Sequence, residues 1–318
     1  MTLRPGRALS ILIYHRVLAR PDPLFPDVPD GRRFGRQLGL LRRFFSVLPL
    51  REAARRLRDG TLPPRAACIT FDDGYADNAE VALPLLQRHG LSACFFIASG
   101  YLNGGRMWND CVIERVRHAA GERLDLSAHG LDSFALGSLA LRRRAIETIL
   151  ARLKYLPFER RQAISAQIHA GIRYPAMPPI MLSSAQLRAL QQAGMEIGAH
   201  TLSHPILSAM SDLAARNDIA SGKRRLEDLL QAPVGLFAYP NGKAGQDYGP
   251  RHVEIVKSSG FEAAVATDAG AAHSGADLFQ LPRFTPWERD RLRFLLRIGQ
   301  SRLAGAGLKL GSSTRGGT

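Results

Sequence analysis

The stretch Ala67-Cys68-Ile69-Thr70-Phe71-Asp72-Asp73-Gly74 decides the fold. Small, β-branched and aromatic side chains read as a buried strand, and the two acids and the glycine read as its stop. The same order recurs along the chain. Residues 9–14 run into His15, residues 195–199 into His200-Thr201-Leu202-Ser203-His204-Pro205, and residues 235–239, ending in Tyr239, into Pro240-Asn241-Gly242. Residues 92–98 and 262–266 read as two more strands. Helical patterns fill the gaps at 77–89, 185–193, 211–231 and 248–259. Gly90, Gly194 and Gly260 stand where a left-handed residue stops a helix. Such alternation predicts a parallel sheet, closed or doubly wound.

Residues 106–180 break the rhythm with successive helical patterns, including 139–156 and 159–170, and read as a helical insertion that a Pro-rich exit at 174–179 closes. The domain reading is therefore a catalytic unit over 1–286 carrying this insertion, then a basic helix and flexible tail over 287–318. The terminal helical pattern, 287–310, mixes Arg289, Arg291, Arg293, Arg297 and Arg302 with Leu292, Phe294, Leu295, Leu296 and Ile298. It reads either as a last covering helix or as a basic amphipathic segment on a membrane.

At 318 residues, 45% hydrophobic and 22% charged, the composition is that of an ordinary globular chain. No apolar run reaches the roughly 20 residues that span a bilayer, and the short run 8–14 lacks a small-residue cleavage pattern. Cys68, Cys94 and Cys111 lack metal-like spacing and read as buried thiols. A cytoplasmic location, or the cytoplasmic face of a membrane, is the expectation. The formal net charge is +15, from 43 Lys and Arg against 28 Asp and Glu. That surface could attract an anionic membrane, an acidic glycan or nucleic acid. No nucleic-acid-binding signature accompanies it, so nucleic acid is not the expected partner.

Chemically capable residues fall at the carboxyl ends of four strands, the edge where active sites of parallel α/β proteins gather. Two imidazoles and one carboxylate, with a position left for water, recur as a catalytic set for zinc and similar divalent ions. His200 and His204 are four apart, and Pro205 makes a tight turn there more plausible than a long helix. Adjacent aspartates after a strand point in different directions, so one can serve a metal while the other faces water. Asp77, Asn78 and Tyr75 read as capping and packing residues, with sugar contacts as the other option. Trp108 and Trp287 read as packing residues that could also stack on sugar rings.

Thr70-Phe71-Asp72-Asp73-Gly74-Tyr75 and His200-Thr201-Leu202-Ser203-His204-Pro205 resemble the first two motifs of polysaccharide deacetylases carrying the NodB homology domain, carbohydrate esterase family 4. Phe237-Ala238-Tyr239-Pro240-Asn241-Gly242 resembles the third. Leu12-Ile13-Tyr14-His15-Arg16-Val17 and Leu281-Pro282-Arg283-Phe284 are similar to the subgroup around bacterial poly-N-acetylglucosamine deacetylases. The resemblance implies an α/β fold, a distorted (β/α)7-type barrel, and hydrolysis of N-acetyl groups on a glycan or glycolipid precursor. It implies a divalent metal, zinc first, on Asp73, His200 and His204, with Asp72 as general base. Tyr239, Pro240 and Asn241 become the oxyanion and substrate-binding segment. The family's third motif begins with an Arg that orients the base; Ala238 stands there, and Arg283 is the candidate replacement. The family's late His acid lacks its context around His273, so His15 is the candidate that protonates the leaving amine. A metal-dependent amidase on a non-sugar substrate, a non-catalytic glycan-binding relative, and a basic membrane or nucleic-acid protein stay open as alternatives.

Overall fold

The computed structural model describes residues 8–172 and 179–304. The strands are β1 (Ser10–Tyr14), β2 (Ser46–Val47), β3 (Ala66–Phe71), β4 (Cys94–Ile97), β5 (Arg123–Asp125), β6 (Ser133–Ala135), β7 (Glu196–Ala199), β8 (Leu236–Ala238) and β9 (Ala263–Val265). The helices are α1 (Gly31–Phe44), α2 (Leu50–Arg58), α3 (Leu83–His89), α4 (Trp108–His118), α5 (Leu139–Lys154), α6 (Phe158–Ala170), α7 (Ser184–Gln192), α8 (Asp212–Leu230), α9 (Pro250–Ser258) and α10 (Arg291–Ala304).

The main sheet is parallel, in the order β1-β3-β4-β7-β8-β9, with short β2 also paired to β3. The segment around Leu281–Phe284 closes it. Leu281 bridges Val265 of β9, and Phe284 bridges Leu12 of β1, both in parallel. The closing segment is a seventh stave held by single bridges, which is the distortion expected of a (β/α)7-type barrel.

Side chains alternate between two cores. Ile11, Cys68, Cys94, Phe96, Leu236, Ala238 and Val265 belong to one cluster, plugged by Leu50, Ala53, Ala54 and Leu57 of α2. Leu12, Tyr14, Phe71, Phe95, Ile97 and Phe237 belong to the other, under the surrounding helices. Phe71 stacks on Phe95, with ring centroids 4.7 Å apart. Period-two alternation places Cys68 and Thr70 on the inward face, so the next inward position is Asp72. The helices are capped locally. Asp30 accepts the Arg33 N–H before α1, Ser183 and Gln186 form a capping box on α7, and Ser211 accepts from Ala214 at α8. Gly90 (φ 62°) ends α3 in the left-handed conformation.

Residues 106–172 hold α4, the β5–β6 hairpin, α5 and α6. Trp108, Val112, Val116, Leu124, Ile146, Ile149 and Ile168 give this segment a core of its own. Nothing in the sequence pattern announced the hairpin, because its strands are three residues long and mostly exposed. The pattern at 77–89 splits into one π-helical stretch, Asn78–Ala82, followed by α3. Positions 173–178 of the Pro-rich exit, and the tail from 305 onward, lie outside the described residues. Cys68, Cys94 and Cys111 are buried free thiols.

One contact ties the helical layer to the loop after β7. A Cβ on Gly222, inside α8, would stand 2.5 Å from the Thr201 carbonyl carbon and 2.6 Å from the Leu202 nitrogen. Helix propensity favours alanine over glycine by about 1 kcal/mol, but this overlap is with backbone that cannot swing aside. Gly222→Ala is therefore expected to lose about 1–3 kcal/mol of stability. A lower urea midpoint with an unchanged m-value would register it.

Candidate active site

The loops at the carboxyl ends of β1, β3, β7 and β8 converge on one cavity of about 320 Å³. His15, Asp72, Asp73, His200, His204 and Asn241 line it, and Trp108, Leu150 and Lys154 roof it from the insertion. A second cavity of about 350 Å³ shares His15, Asp73 and Asn109 with the first, and continues to Pro29, Pro286 and Trp287.

Four of the loop residues are not glycine yet have positive φ: Asp73 (77°), Thr201 (66°), His204 (51°) and Asn241 (59°). Such backbone costs on the order of 1–3 kcal/mol per residue and persists only when its surroundings hold it. The holders can be named. Thr201 Oγ1 accepts the His204 N–H at 3.0 Å, and Asp218 of α8 accepts the N–H groups of Leu202 (2.9 Å) and Ser203 (3.2 Å) and the Ser203 hydroxyl. Thr267 donates to the Asn241 carbonyl at 2.6 Å. Asp218 and Thr267 went unnoticed in the sequence. The only signal for Asp218 is an acid beside Ala215, Ile219 and Gly222 on the helix stripe that faces the loop.

Asp73, His200 and His204 each present one ligand atom, all within 4.8 Å of one another. Asp73 Oδ1 lies 3.5 Å from His200 Nε2 and 3.3 Å from His204 Nε2. His200 Nδ1 is 2.7 Å from the Ala238 carbonyl and donates to it, so the neutral form of the ring turns its Nε2 lone pair toward Asp73. Asp73 Oδ1 is buried with no hydrogen-bond partner. Such an orphaned carboxylate oxygen between two imidazoles fits a divalent cation. Burial would raise the Asp73 carboxyl, but His200 and His204 hold it well below the usual carboxylate range. Burial pushes His204 down to about 3, so its imidazole is neutral at neutral pH. Burial also lowers His200, but Asp73 and Asp72 outweigh it and leave the group above its ordinary value.

Asp72 points inward and meets Arg283. The guanidinium, with no exposed surface, donates to Asp72 Oδ1 at 2.7 Å and to Oδ2 at 2.6 Å. It also donates to Thr70 Oγ1 and, through Nε, to the Ala266 carbonyl. Burial alone would raise the Asp72 carboxyl; the charges of Arg283 and His200 bring it below the usual range. Asp72 is thus an anion with a fixed orientation at the cavity wall.

His15 is exposed at the mouth, and the loop it stands on is clamped. Asn78 donates to the His15 carbonyl at 2.9 Å, and Asp77 accepts the Val17 N–H at 3.1 Å and the Arg16 guanidinium at 2.7 Å. The capping role read for Asp77 is therefore corrected: no side-chain cap bond forms. Tyr239 also departs from its expected place. Its ring is buried and stacks on Tyr248, 3.8 Å between centroids, and its N–H donates to the Val265 carbonyl. Pro240 has no N–H. Of those three residues, Asn241 alone lines the cavity with a backbone donor to offer. His273 follows Ala272, which pairs with Leu9 at the opposite end of β1, away from the site.

A closed parallel barrel with paired acids, two imidazoles and a guanidinium-held carboxylate at its carboxyl end defines a hydrolase of the kind that works on glycan substituents. The sequence profile of the polysaccharide deacetylase family matches residues 59–264, more than half of the chain. The chain belongs to that family, and so to the hydrolases acting on carbon–nitrogen bonds other than peptide bonds. The putative polysaccharide deacetylase YxkH of Bacillus subtilis (strain 168) is 19% identical over 284 residues, covering 89% of this chain and 72% of that protein. Among solved structures, IcaB from Ammonifex degensii shares the fold with a TM-score of 0.62 at 20% identity, over 93% of this chain and 98% of that one. The Streptococcus pyogenes deacetylase PplD, in complex with acetate, does so with a TM-score of 0.59 at 18% identity, over 88% and 92%.

One buried acid near the site titrates in an accessible range. Asp110 accepts the Tyr75 hydroxyl at 3.1 and 3.3 Å. Burial, then the charge of Asp73, pushes its carboxyl up to about 7. An unfolded carboxyl ionises near pH 4, at about 3.9. Between there and pH about 7 the folded chain keeps a proton that the unfolded chain has lost, so stability falls as pH rises through that window. Asp110→Asn should flatten this slope in chelator-treated protein, as read from urea midpoints taken across the window.

Proposed function

We propose that the protein removes N-acetyl groups from N-acetylhexosamine units of a glycan or glycolipid precursor, using a divalent metal held by Asp73, His200 and His204. The observation that carries this reading is the unpartnered Asp73 Oδ1 between two Nε2 atoms, beside an Asp72 whose charge and direction Arg283 fixes. Zinc leads among the ions these donors suit. When bound, the ion supplies a Lewis acid for the amide carbonyl and lowers the pKa of water.

The chain's own groups supply the rest. Each Asp72 oxygen keeps a lone pair beyond its bond to Arg283, so Asp72 takes the proton from the attacking water. The N–H of Asn241 donates to the oxygen that gains charge as the carbonyl becomes tetrahedral. His15, at the mouth, returns a proton to the departing amine. The two cavities, which share His15, Asp73 and Asn109, exceed the space an acetyl group needs, and Trp108 lines one and Trp287 the other, which supports a sugar over a small acetamide. An amidase acting on a non-sugar substrate would release acetate from simple acetamides as fast as from N-acetylated oligosaccharides.

Asp72→Asn should cut acetate release from N-acetylated oligosaccharides by at least about 10²–10⁴-fold, the range for one general base, while elemental analysis still finds one metal per chain. His200→Ala should lose the metal itself. A metal-loaded wild type that releases no acetate from any such oligosaccharide sinks the proposal. His15→Gln should lower kcat by about 10²–10⁴-fold with KM little changed, as expected of a group acting on the leaving amine; steady-state kinetics would show the split.

A further inference from the structure

The arginines of this chain fall into two kinds. Those of α2 are ion-paired: Arg51 meets Glu262, Arg56 meets Glu52, and Arg55 and Arg58 share Asp59. The neighbouring helices α1 and α10, which pack on each other, contain no acid at all. Arg33, Arg297 and Arg302 there are engaged by the Asp27 and Trp287 carbonyls, by Glu288 and by the Ala66 carbonyl. Arg32, Arg36, Arg42, Arg43, Arg291 and Arg293 are exposed, and no salt bridge reaches them among the described residues. Beside these charges α10 turns Leu292 and Leu296, one helical turn apart, outward at 64% and 54% exposure, while Phe294 and Ile298 face the core. Trp287, just ahead of α10, is 52% exposed and walls the outer cavity that joins the site.

We infer that the α1–α10 face docks peripherally on an anionic lipid bilayer, with the arginines against headgroups and Leu292, Leu296 and Trp287 in the interface. Unpaired guanidinium groups on two adjacent helices complement a negatively charged surface. Exposed leucines beside them gain nothing from a nucleic acid or an acidic glycan, but they gain from an acyl boundary. Trp287 belongs to both the face and the cavity rim, so docking sets the cavity mouth at the lipid surface. A substrate anchored in that surface reaches the site without leaving it. The inference does not depend on the proposed metal chemistry.

Co-sedimentation of the full chain with vesicles of equal parts phosphatidylglycerol and phosphatidylcholine, against pure phosphatidylcholine, tests this. Each basic group near such a surface contributes roughly fivefold to partitioning. The triple variant R32Q/R36Q/R43Q should therefore bind about a hundredfold more weakly, and added salt should weaken the wild type in the same direction. L292S/L296S should weaken binding by about tenfold or more through lost apolar burial. The emission of Trp287 should shift to the blue on the vesicles, and Trp287→Phe should abolish the shift. Both multiple variants should keep the wild-type thermal midpoint and its rate on a soluble substrate. If the arginine variant does not fold, L292S/L296S, which alters exposed positions alone, carries the test. Failure of the wild type to bind the anionic vesicles overturns the inference. So does binding that L292S/L296S leaves intact while heparin or duplex DNA binds as tightly, since that marks a general polyanion surface.

Discussion

Arg283 and Asp72 meet inside the barrel with almost no exposure, and much of the structure depends on that pair. Bringing two charges out of water is costly, and the cost is met only when geometry is good and the remaining donors are satisfied. Here the fork meets both carboxylate oxygens, Thr70 takes a further donor, and the Ala266 carbonyl takes Nε. The partners span the seam at which the barrel closes. Asp72 follows β3, while Arg283 stands on the closing segment, which bridges β9 through Leu281 and β1 through Phe284. The interaction that orients the Asp72 carboxylate therefore also braces the closure of the barrel, so losing either partner would leave the other buried and uncompensated.

Around this pair the site concentrates backbone that ordinary residues avoid. Asp73, Thr201, His204 and Asn241 all take positive φ. Each is restrained by elements outside its own loop: Asp73 by the Ala98 N–H on its carbonyl, the histidine loop by Asp218 and the close approach of Gly222, and Asn241 by Thr267. The barrel and helices supply stability, and part of it is spent on aiming three ligand atoms at one point. The segment 106–172 adds the roof, since Trp108, Leu150 and Lys154 descend from α4 and α5 over a site that the strands alone would leave open.

Much of the fold was legible because buried parallel strands and amphipathic helices leave different periods in a sequence. Strands expected at 67–71 and 195–199 differ from β3 and β7 by one residue each, and glycines at 90, 194 and 260 mark left-handed turns. The hairpin β5–β6 was invisible because three exposed residues leave no period. Tyr239 misled because a motif names a segment and not the direction of each side chain; one backbone bond and a ring stack send it into the core.

By itself the sequence determined which groups could do chemistry and that they end neighbouring strands, because strand period and stop residues are local properties. It placed Asp72, Asp73, His200 and His204 on one edge of a sheet. Only the tertiary structure decided how they divide. The left-handed turn at Asp73 swings one acid toward two imidazoles, while a guanidinium more than two hundred residues away captures the other. It alone decided which arginines stay unpaired, since an acid quenches a base only if packing brings them within reach. Local pattern names the residues; long-range packing assigns their partners.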